Sequence, residues 1–134
     1  MKKKIAFVCT GNSCRSQMAE GLAKYYGNDV LDVYSAGTHP VNEVNPEAIE
    51  VLKEIGIDIS GNKPKLLDDI PYEIDILITM GCGVVCPFIP NKYEADWGLP
   101  DPAGQPIEEF RRVRDIIKDK VLKLIDKEKN DELF

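Results

Sequence analysis

Short apolar runs that alternate with helical patterns restrict the possible folds of this chain more than any other feature. Runs typical of buried strands cover residues 5–8, 30–36 and 74–80, and a weaker run covers residues 93–97. Apolar residues at helical spacing follow the first, second and fourth of these runs. Strands that alternate with helices favour a parallel sheet with right-handed crossovers. We therefore predict one α/β domain over residues 1–134, with a four-stranded parallel sheet and helices on both faces.

Helix boundaries can be predicted from residue types. The first helix ends near Gly27, and Asn45–Pro46 starts the second, because asparagine caps helix N-termini and proline fits the first turn. Gly56 ends the second helix. The apolar residues of the last helix run from Ile107 to Leu124. Its arginines alternate with acidic residues, which predicts a solvated face formed by Arg111, Arg112 and Arg114.

The ends of the predicted strands place reactive residues at one edge of the sheet. In open α/β sheets, ligands bind beyond the carboxyl ends of the strands. The first strand ends at Cys9, the third runs into Gly81–Cys82, and the fourth is followed by Asp101. These residues are far apart in sequence, and the topology predicts that they meet at one site.

The loop between Cys9 and Arg15 has the features of an anion-binding site. Such a loop, between a strand and a helix, can turn its backbone N–H groups inward beside the helix N-terminus. Gly11 and Asn12 tolerate the positive φ angles that this curl requires. Arg15 offers a planar fork of donors, and the positive surroundings favour the thiolate form of Cys9, to which Ser16 can donate. We predict a nucleophile, Cys9, and an oxyanion-binding loop formed by Thr10, Gly11, Asn12, Ser13, Cys14, Arg15 and Ser16.

The four cysteines, Cys9, Cys14, Cys82 and Cys86, fit catalysis better than a disulfide framework. In cytosolic chains such cysteines are more often catalytic or metal-binding. A zinc site needs four ligands, and the chain offers only His39 besides the cysteines, so we predict no metal and no cofactor. The alternatives are a structural cysteine in a turn at Cys9, a packing residue at Cys14, and buried apolar residues or half a zinc site at the other two. We place His39 in a surface loop.

Composition argues against several other classes of protein. The chain is 43% hydrophobic and 30% charged, as ordinary globular proteins are. Its net charge of -6 disfavours binding to nucleic acids or acidic membranes. The start, MKKKIAFV, is too short for a signal peptide, and no apolar run approaches the ~20 residues of a transmembrane helix. We expect a cytoplasmic monomer that binds neither nucleic acid nor membrane.

Four stretches of the sequence together resemble one known family. They read CTGNSCRSQMAEG, VYSAGTHPVNEVNPEAIEVL, IDILITMGCGVVCPFIP and ADWGLPDPAGQPIEEFRRVRD. They are similar to the thioredoxin-coupled arsenate reductases of the low-molecular-weight tyrosine phosphatase superfamily, over nearly the whole chain up to the last helix. Gln17 stands where the phosphatases usually have proline, and Ala103–Gly104 follows Asp101–Pro102 where they usually have tyrosine. The resemblance implies the flavodoxin-like fold of the low-molecular-weight phosphatases.

The resemblance also implies a role for each reactive residue. Cys9 would attack arsenate held by the loop and Arg15, and Asp101 would protonate the departing oxygen as general acid. Cys82 would then attack Cys9, which releases arsenite and leaves a Cys9–Cys82 disulfide. Cys86 would attack Cys82, and thioredoxin or a similar dithiol protein would reduce the resulting bond. Reducing As(V) to As(III) takes two electrons, which one dithiol-to-disulfide step supplies.

The sequence departs from the family pattern in two places. The family has six residues between its two relay cysteines, whereas three separate Cys82 from Cys86. Some members also hold a potassium ion behind the loop with an Asn, a Glu, a Ser and an acid. Lys65 occupies the position of the acid, where its ammonium either replaces the cation or points to solvent. The other three positions match Asn12, Glu20 and Ser35.

We therefore predict an arsenate reductase with arsenate or phosphate as its oxyanion ligand. Two alternatives remain open at this point. The same loop can hydrolyse phosphotyrosine or small phosphomonoesters, as in a low-molecular-weight protein tyrosine phosphatase. The cysteines can also form a non-catalytic thiol module that binds arsenite or a soft metal.

Overall fold

The computed structural model describes residues 2–81 and 89–130 and contains a four-stranded parallel sheet, as predicted. The strands lie in the order β2-β1-β3-β4, the arrangement of flavodoxin-like sheets. Their bounds are β1 Lys3–Cys9, β2 Leu31–Gly37, β3 Ile76–Thr79 and β4 Tyr93–Asp96. The helices are α1 Arg15–Gly27, α2 Pro46–Lys53 and α3 Ile107–Lys129, with a 3₁₀ helix at Leu67–Asp69.

Alternating side chains of the strands divide the core between the two faces of the sheet. Ile5, Phe7 and Cys9 of β1 belong to the larger core, together with residues of all three α-helices. Ala6 and Val8 point to the other face and belong to a smaller core. Contacts between α1, α2 and α3 show that these helices form one layer.

The smaller core lies on the face of the sheet opposite the three α-helices. Among the described residues it is covered by the 3₁₀ helix and by the chain around Ile70 and Ile74. This stretch contains Pro64 and Pro71, and proline at these points prevents a continuous helix because it lacks a backbone N–H. The part of the β2–β3 crossover that follows α2 therefore covers this face without a regular α-helix.

The predicted start of α2 is confirmed at Asn45. Its Oδ1 accepts a hydrogen bond from the Glu47 backbone N–H at 2.9 Å, with Pro46 in the first turn. The helix ends at Lys53, earlier than predicted, because Gly56 closes the following turn rather than the helix itself. Gly56 has a φ of 85° and donates its N–H to the Lys53 carbonyl at 3.0 Å.

The predicted solvated face of α3 is wrong for Arg114. Its side chain is buried, and Nη1 donates to the Val51 carbonyl at 2.9 Å and to Glu54 Oε1 at 2.8 Å. Arg111 forms three further hydrogen bonds to the same carboxylate, two through Nε and one through Nη2. This cluster joins α3 to the end of α2, whereas Arg112 is exposed, as predicted.

Candidate active site

Three segments meet beyond the carboxyl ends of the strands, and Arg15 joins them. Its Nη1 donates to the carbonyls of Met80, after β3, and Leu99, after β4, both at 2.9 Å. Its Nη2 lies 3.8 Å from Asp101 Oδ2. Of the residues predicted to meet at this edge, Cys9 ends β1 there and Asp101 lies there beside Arg15. Cys82 and Cys86 lie outside the described residues.

The sulfur of Cys9 lies at the base of the loop and has two polar neighbours. Ser16 Oγ is 2.8 Å from Sγ, and the Asn12 backbone N–H donates to Sγ at 3.3 Å. Asn12 Nδ2 donates to Ser16 Oγ at 2.8 Å, so the serine hydroxyl hydrogen is free to point to the sulfur. Both donors stabilise negative charge on Cys9, which is the form a nucleophilic thiol needs.

Asn12 shapes the loop from its centre. It is the one described non-glycine residue with a positive φ, at 50°, and it is fully buried. Its Nδ2 also donates to Ser35 Oγ at 3.0 Å. Its Oδ1 accepts from Gln17 Nε2 at 3.0 Å and from the Lys65 backbone N–H at 2.8 Å. The side chain therefore holds the residue in a conformation that an L-amino acid otherwise avoids.

Behind Asn12, a buried carboxylate is surrounded by donors. Glu20 accepts a short hydrogen bond from Ser35 Oγ, and its oxygens lie 3.0 Å from Lys24 Nζ and 3.2 Å from Lys65 Nζ. Burial by itself raises the pKa of this carboxyl, but the Ser35 hydrogen bond and the two ammonium groups outweigh burial and hold the pKa below its ordinary 4.5. Of the two possibilities for Lys65, the structure favours the one in which its ammonium occupies the cation position.

Asp101 is the exposed member of the site. Its side chain is 54% exposed, while that of Arg15 is 7% exposed. Oδ1 accepts a hydrogen bond from the Ala103 backbone N–H at 3.0 Å, which orients the carboxyl group. Oδ2 remains on the Arg15 side, where a proton donor for a leaving oxygen is needed.

Cys14 does not share the environment of Cys9. It is buried, and burial raises the pKa of its thiol to about 11. Ser13 Oγ lies 3.7 Å from its sulfur. Such a thiol stays protonated at neutral pH, which agrees with a packing residue. His39 is exposed, as predicted.

Two groups of site residues were not predicted from the sequence. The carbonyls of Met80 and Leu99, which fix Arg15, are backbone atoms and leave no signal in residue type. Gln17 is fully buried and donates to the Lys63 carbonyl at 3.1 Å as well as to Asn12. Its position next to Arg15–Ser16 was noted for its difference from the phosphatases, but its contact with Asn12 was not foreseen.

The described residues offer no obvious place for a metal ion. Within residues 2–81 and 89–130, no three His, Cys, Asp or Glu side chains lie close enough together to hold one. None of the helices in those ranges is both long and apolar enough to cross a membrane.

A cysteine at the base of an anion-binding loop, with arginine at its end, places the chain among the phosphatase-type α/β proteins. A family model described as low molecular weight phosphotyrosine protein phosphatase matches residues 4–133, and the chain belongs to this family.

Within this family, several similar proteins are arsenate reductases. An arsenate reductase from Staphylococcus aureus (strain Newman) is 50% identical over 121 residues, which cover 87% of this chain and 92% of the relative. A solved structure of an arsenate reductase in the phosphate binding state has a TM-score of 0.84 and 43% identity, covering 95% of this chain and 98% of its own. The thioredoxin-dependent arsenate reductase of Corynebacterium glutamicum has a TM-score of 0.82 and 34% identity, covering 97% of this chain and 63% of its own.

Proposed function

We propose that this protein reduces arsenate to arsenite through a relay of three cysteines and that thioredoxin or a similar dithiol protein restores it. The observation that supports this most is the position of Cys9 Sγ, between Ser16 Oγ and the Asn12 N–H, at the edge where Arg15 and Asp101 also lie. The names of the relatives support arsenate as the substrate.

In the first half of the reaction, the Cys9 thiolate attacks the arsenic atom of arsenate. The inward N–H groups of the loop and the free face of the Arg15 guanidinium hold the arsenate oxygens. Asp101 donates a proton to one oxygen, which leaves as water. The product is a covalent Cys9–arsenate adduct in which arsenic is still As(V).

The second half of the proposed reaction transfers two electrons. The Cys82 thiolate attacks the Cys9 sulfur, and the electron pair of the sulfur–arsenic bond passes to arsenic, which leaves as arsenite. The Cys86 thiolate then attacks Cys82, which frees Cys9 and forms a Cys82–Cys86 disulfide. An external dithiol reduces this bond, so each arsenate consumes one dithiol. We place the reaction in the cytoplasm, where dithiol proteins keep thiols reduced.

The proposal is tested by steady-state turnover with arsenate, purified thioredoxin and thioredoxin reductase. One arsenite must form for each NADPH that is consumed. Cys82→Ser is expected to abolish this turnover, whereas the matched variant Cys14→Ser keeps most of it. Tight stoichiometric retention of arsenite without turnover would instead support a non-catalytic thiol module.

A phosphatase is the second candidate function, and the described part of the site favours it in one respect. Phosphoester hydrolysis needs only a nucleophile, an oxyanion loop and a general acid, which are Cys9, Arg15 with its loop, and Asp101. It needs neither Cys82 nor Cys86. Hydrolysis of p-nitrophenyl phosphate that is unaffected by Cys82→Ser, together with no arsenate turnover in the wild type, would establish this alternative.

A further inference from the structure

A second loop lies along the outer side of the oxyanion-binding loop and binds its carbonyl groups. Four backbone N–H groups of this second loop, within residues 38–45, donate to four carbonyls of the oxyanion-binding loop and of Cys9 just before it. The pairs are Thr38 to Cys9 at 3.2 Å, His39 to Thr10 at 2.9 Å, Val41 to Gly11 at 3.1 Å, and Asn45 to Ser13 at 3.0 Å.

Because each peptide bond is planar, these hydrogen bonds on the outside of the loop also fix the direction of N–H groups on its inside. In a planar trans peptide, the carbonyl of one residue and the N–H of the next point in opposite directions. The Gly11 carbonyl binds Val41 on the outside, and the Asn12 N–H of the same peptide donates to Cys9 Sγ on the inside at 3.3 Å. By the same rule, the other three outer bonds direct the N–H groups of Thr10, Gly11 and Cys14 inward.

Both ends of the second loop are held by regular structure. Gly37 pairs with Cys9 in the register of β2 and β1, and its N–H donates to the Lys65 carbonyl at 2.8 Å. At the other end, Asn45 is the N-cap of α2, and the preceding residue Val44 is buried in the larger core. A segment fixed at both ends can impose its spacing on a neighbour, whereas a free loop adapts to it.

Gly37 allows the two loops to approach closely. A Cβ atom at this position would lie 2.6 Å from the Thr10 carbonyl oxygen and 3.0 Å from the Asn12 backbone nitrogen. Its φ is not in the left-handed region, so alanine is compatible with the backbone and acts only through this clash. The contact therefore places Gly37 directly against the backbone of the oxyanion-binding loop at Thr10 and Asn12.

We propose that the segment from Gly37 to Asn45, called here the template segment, sets the direction of the loop's N–H groups and so determines oxyanion affinity. Its members are positioning residues, since they touch the loop and not the substrate. The inference rests on the oxyanion-binding loop of the proposed function, but not on the reduction step.

Removal of one donor tests the proposal. Val41→Pro deletes the N–H that binds the Gly11 carbonyl, and Val41→Ala keeps it while shortening a side chain that is 51% exposed. We expect the phosphate Kd of Val41→Pro to exceed that of Val41→Ala by about fivefold or more, the value of one hydrogen bond. The readout is a titration of ¹⁵N-labelled protein with inorganic phosphate, in which the amide signal of Asn12 should shift less in the proline variant.

A pair of glycine variants gives an independent test if the proline variant does not fold. Gly37→Ala introduces the clash with Thr10, whereas Gly61→Ala meets nothing within 4 Å. We expect Gly37→Ala to raise the phosphate Kd and the arsenate KM several-fold, with a smaller change in kcat. Gly61→Ala should match the wild type in all three. Equal phosphate Kd values for the Val41 pair, or a wild-type Kd for Gly37→Ala, would overturn the proposal. Wild-type protein that binds phosphate but never reduces arsenate would refute the proposed function alone.

Discussion

Replacement of Asn12 by alanine should destabilise the protein more than any other single change in the loop. The buried side chain makes four hydrogen bonds, with Ser16, Ser35, Gln17 and the Lys65 N–H, at 2.8 to 3.0 Å, and all but the last are buried. Asn12→Ala removes all four hydrogen bonds and leaves the groups that bonded to Asn12 without this partner. It also places alanine at a φ of 50°, which asparagine tolerates better.

The expected loss can be worked from these contacts. At about 1 kcal/mol per hydrogen bond, four bonds account for about 4 kcal/mol of the free energy of unfolding. The left-handed backbone adds roughly 1 kcal/mol for alanine. Because glycine adopts this backbone freely, Asn12→Gly should lose roughly 1 kcal/mol less than Asn12→Ala. These losses are a large part of the roughly 5–15 kcal/mol that a domain of this kind has in total.

Urea denaturation measures this loss directly, with the fluorescence of the single tryptophan, Trp97, as the signal. Asn42→Ala is the matched control, since Asn42 is exposed and its replacement should change the free energy of unfolding by no more than about 0.5 kcal/mol. A loss below about 1.5 kcal/mol for Asn12→Ala would refute the reasoning, because it would mean that the four hydrogen bonds contribute almost nothing.

Three further predictions follow from the charges around the loop. Iodoacetamide should modify Cys9 before Cys14, phosphate should slow the reaction of Cys9, and Cys14 should stay unmodified because burial raises its pKa to about 11; peptide mapping that finds Cys14 modified first would contradict this. Replacing sodium by potassium should leave Tm and arsenate KM nearly unchanged, because Lys65 Nζ already lies 3.2 Å from Glu20; a potassium-specific rise in Tm would show that an ion still binds. Since the pKa of Glu20 is lowered in the folded protein, its charge stabilises the fold above its ordinary pKa of 4.5, and this stabilisation is lost as the pH falls through the lower folded value. Urea titrations at several pH values should therefore show a flatter acid slope for Glu20→Gln, and an unchanged slope would contradict the assignment.

The parts of the site that depend on residue type could be predicted from the sequence, and the parts that depend on backbone atoms could not. Cys9, Asn12 and Arg15 indicate an anion loop because thiol chemistry, positive φ and a planar cation each require a particular residue. Gly11 was expected at a positive φ too and does not adopt one; in the described loop Asn12 alone does. A backbone N–H, by contrast, is offered by every residue except proline. The hydrogen bond from the Val41 N–H to the loop therefore could not be predicted from residue type.

The fold shows the same division. Asn45 with Pro46 predicts a helix start because capping is local, and the structure confirms it. Arg114 was predicted to be solvated because its neighbours in sequence are charged. Its burial depends on Val51 and Glu54, about 60 residues away, which no local pattern records. Coverage of both sheet faces was predicted from the usual layering of α/β folds, and the 3₁₀ helix Leu67–Asp69 packs on the second face.

The most direct test of the cysteine relay is a single-turnover experiment with Cys86→Ser. The variant is reduced, freed of reductant and mixed with excess arsenate, and arsenite and disulfides are then measured. The relay predicts one arsenite per chain and a Cys9–Cys82 disulfide in the peptide map, with no further turnover on addition of thioredoxin. Continued turnover with thioredoxin would show that the relay ends at Cys82 and does not need Cys86. A variant that releases no arsenite would contradict the proposed function itself.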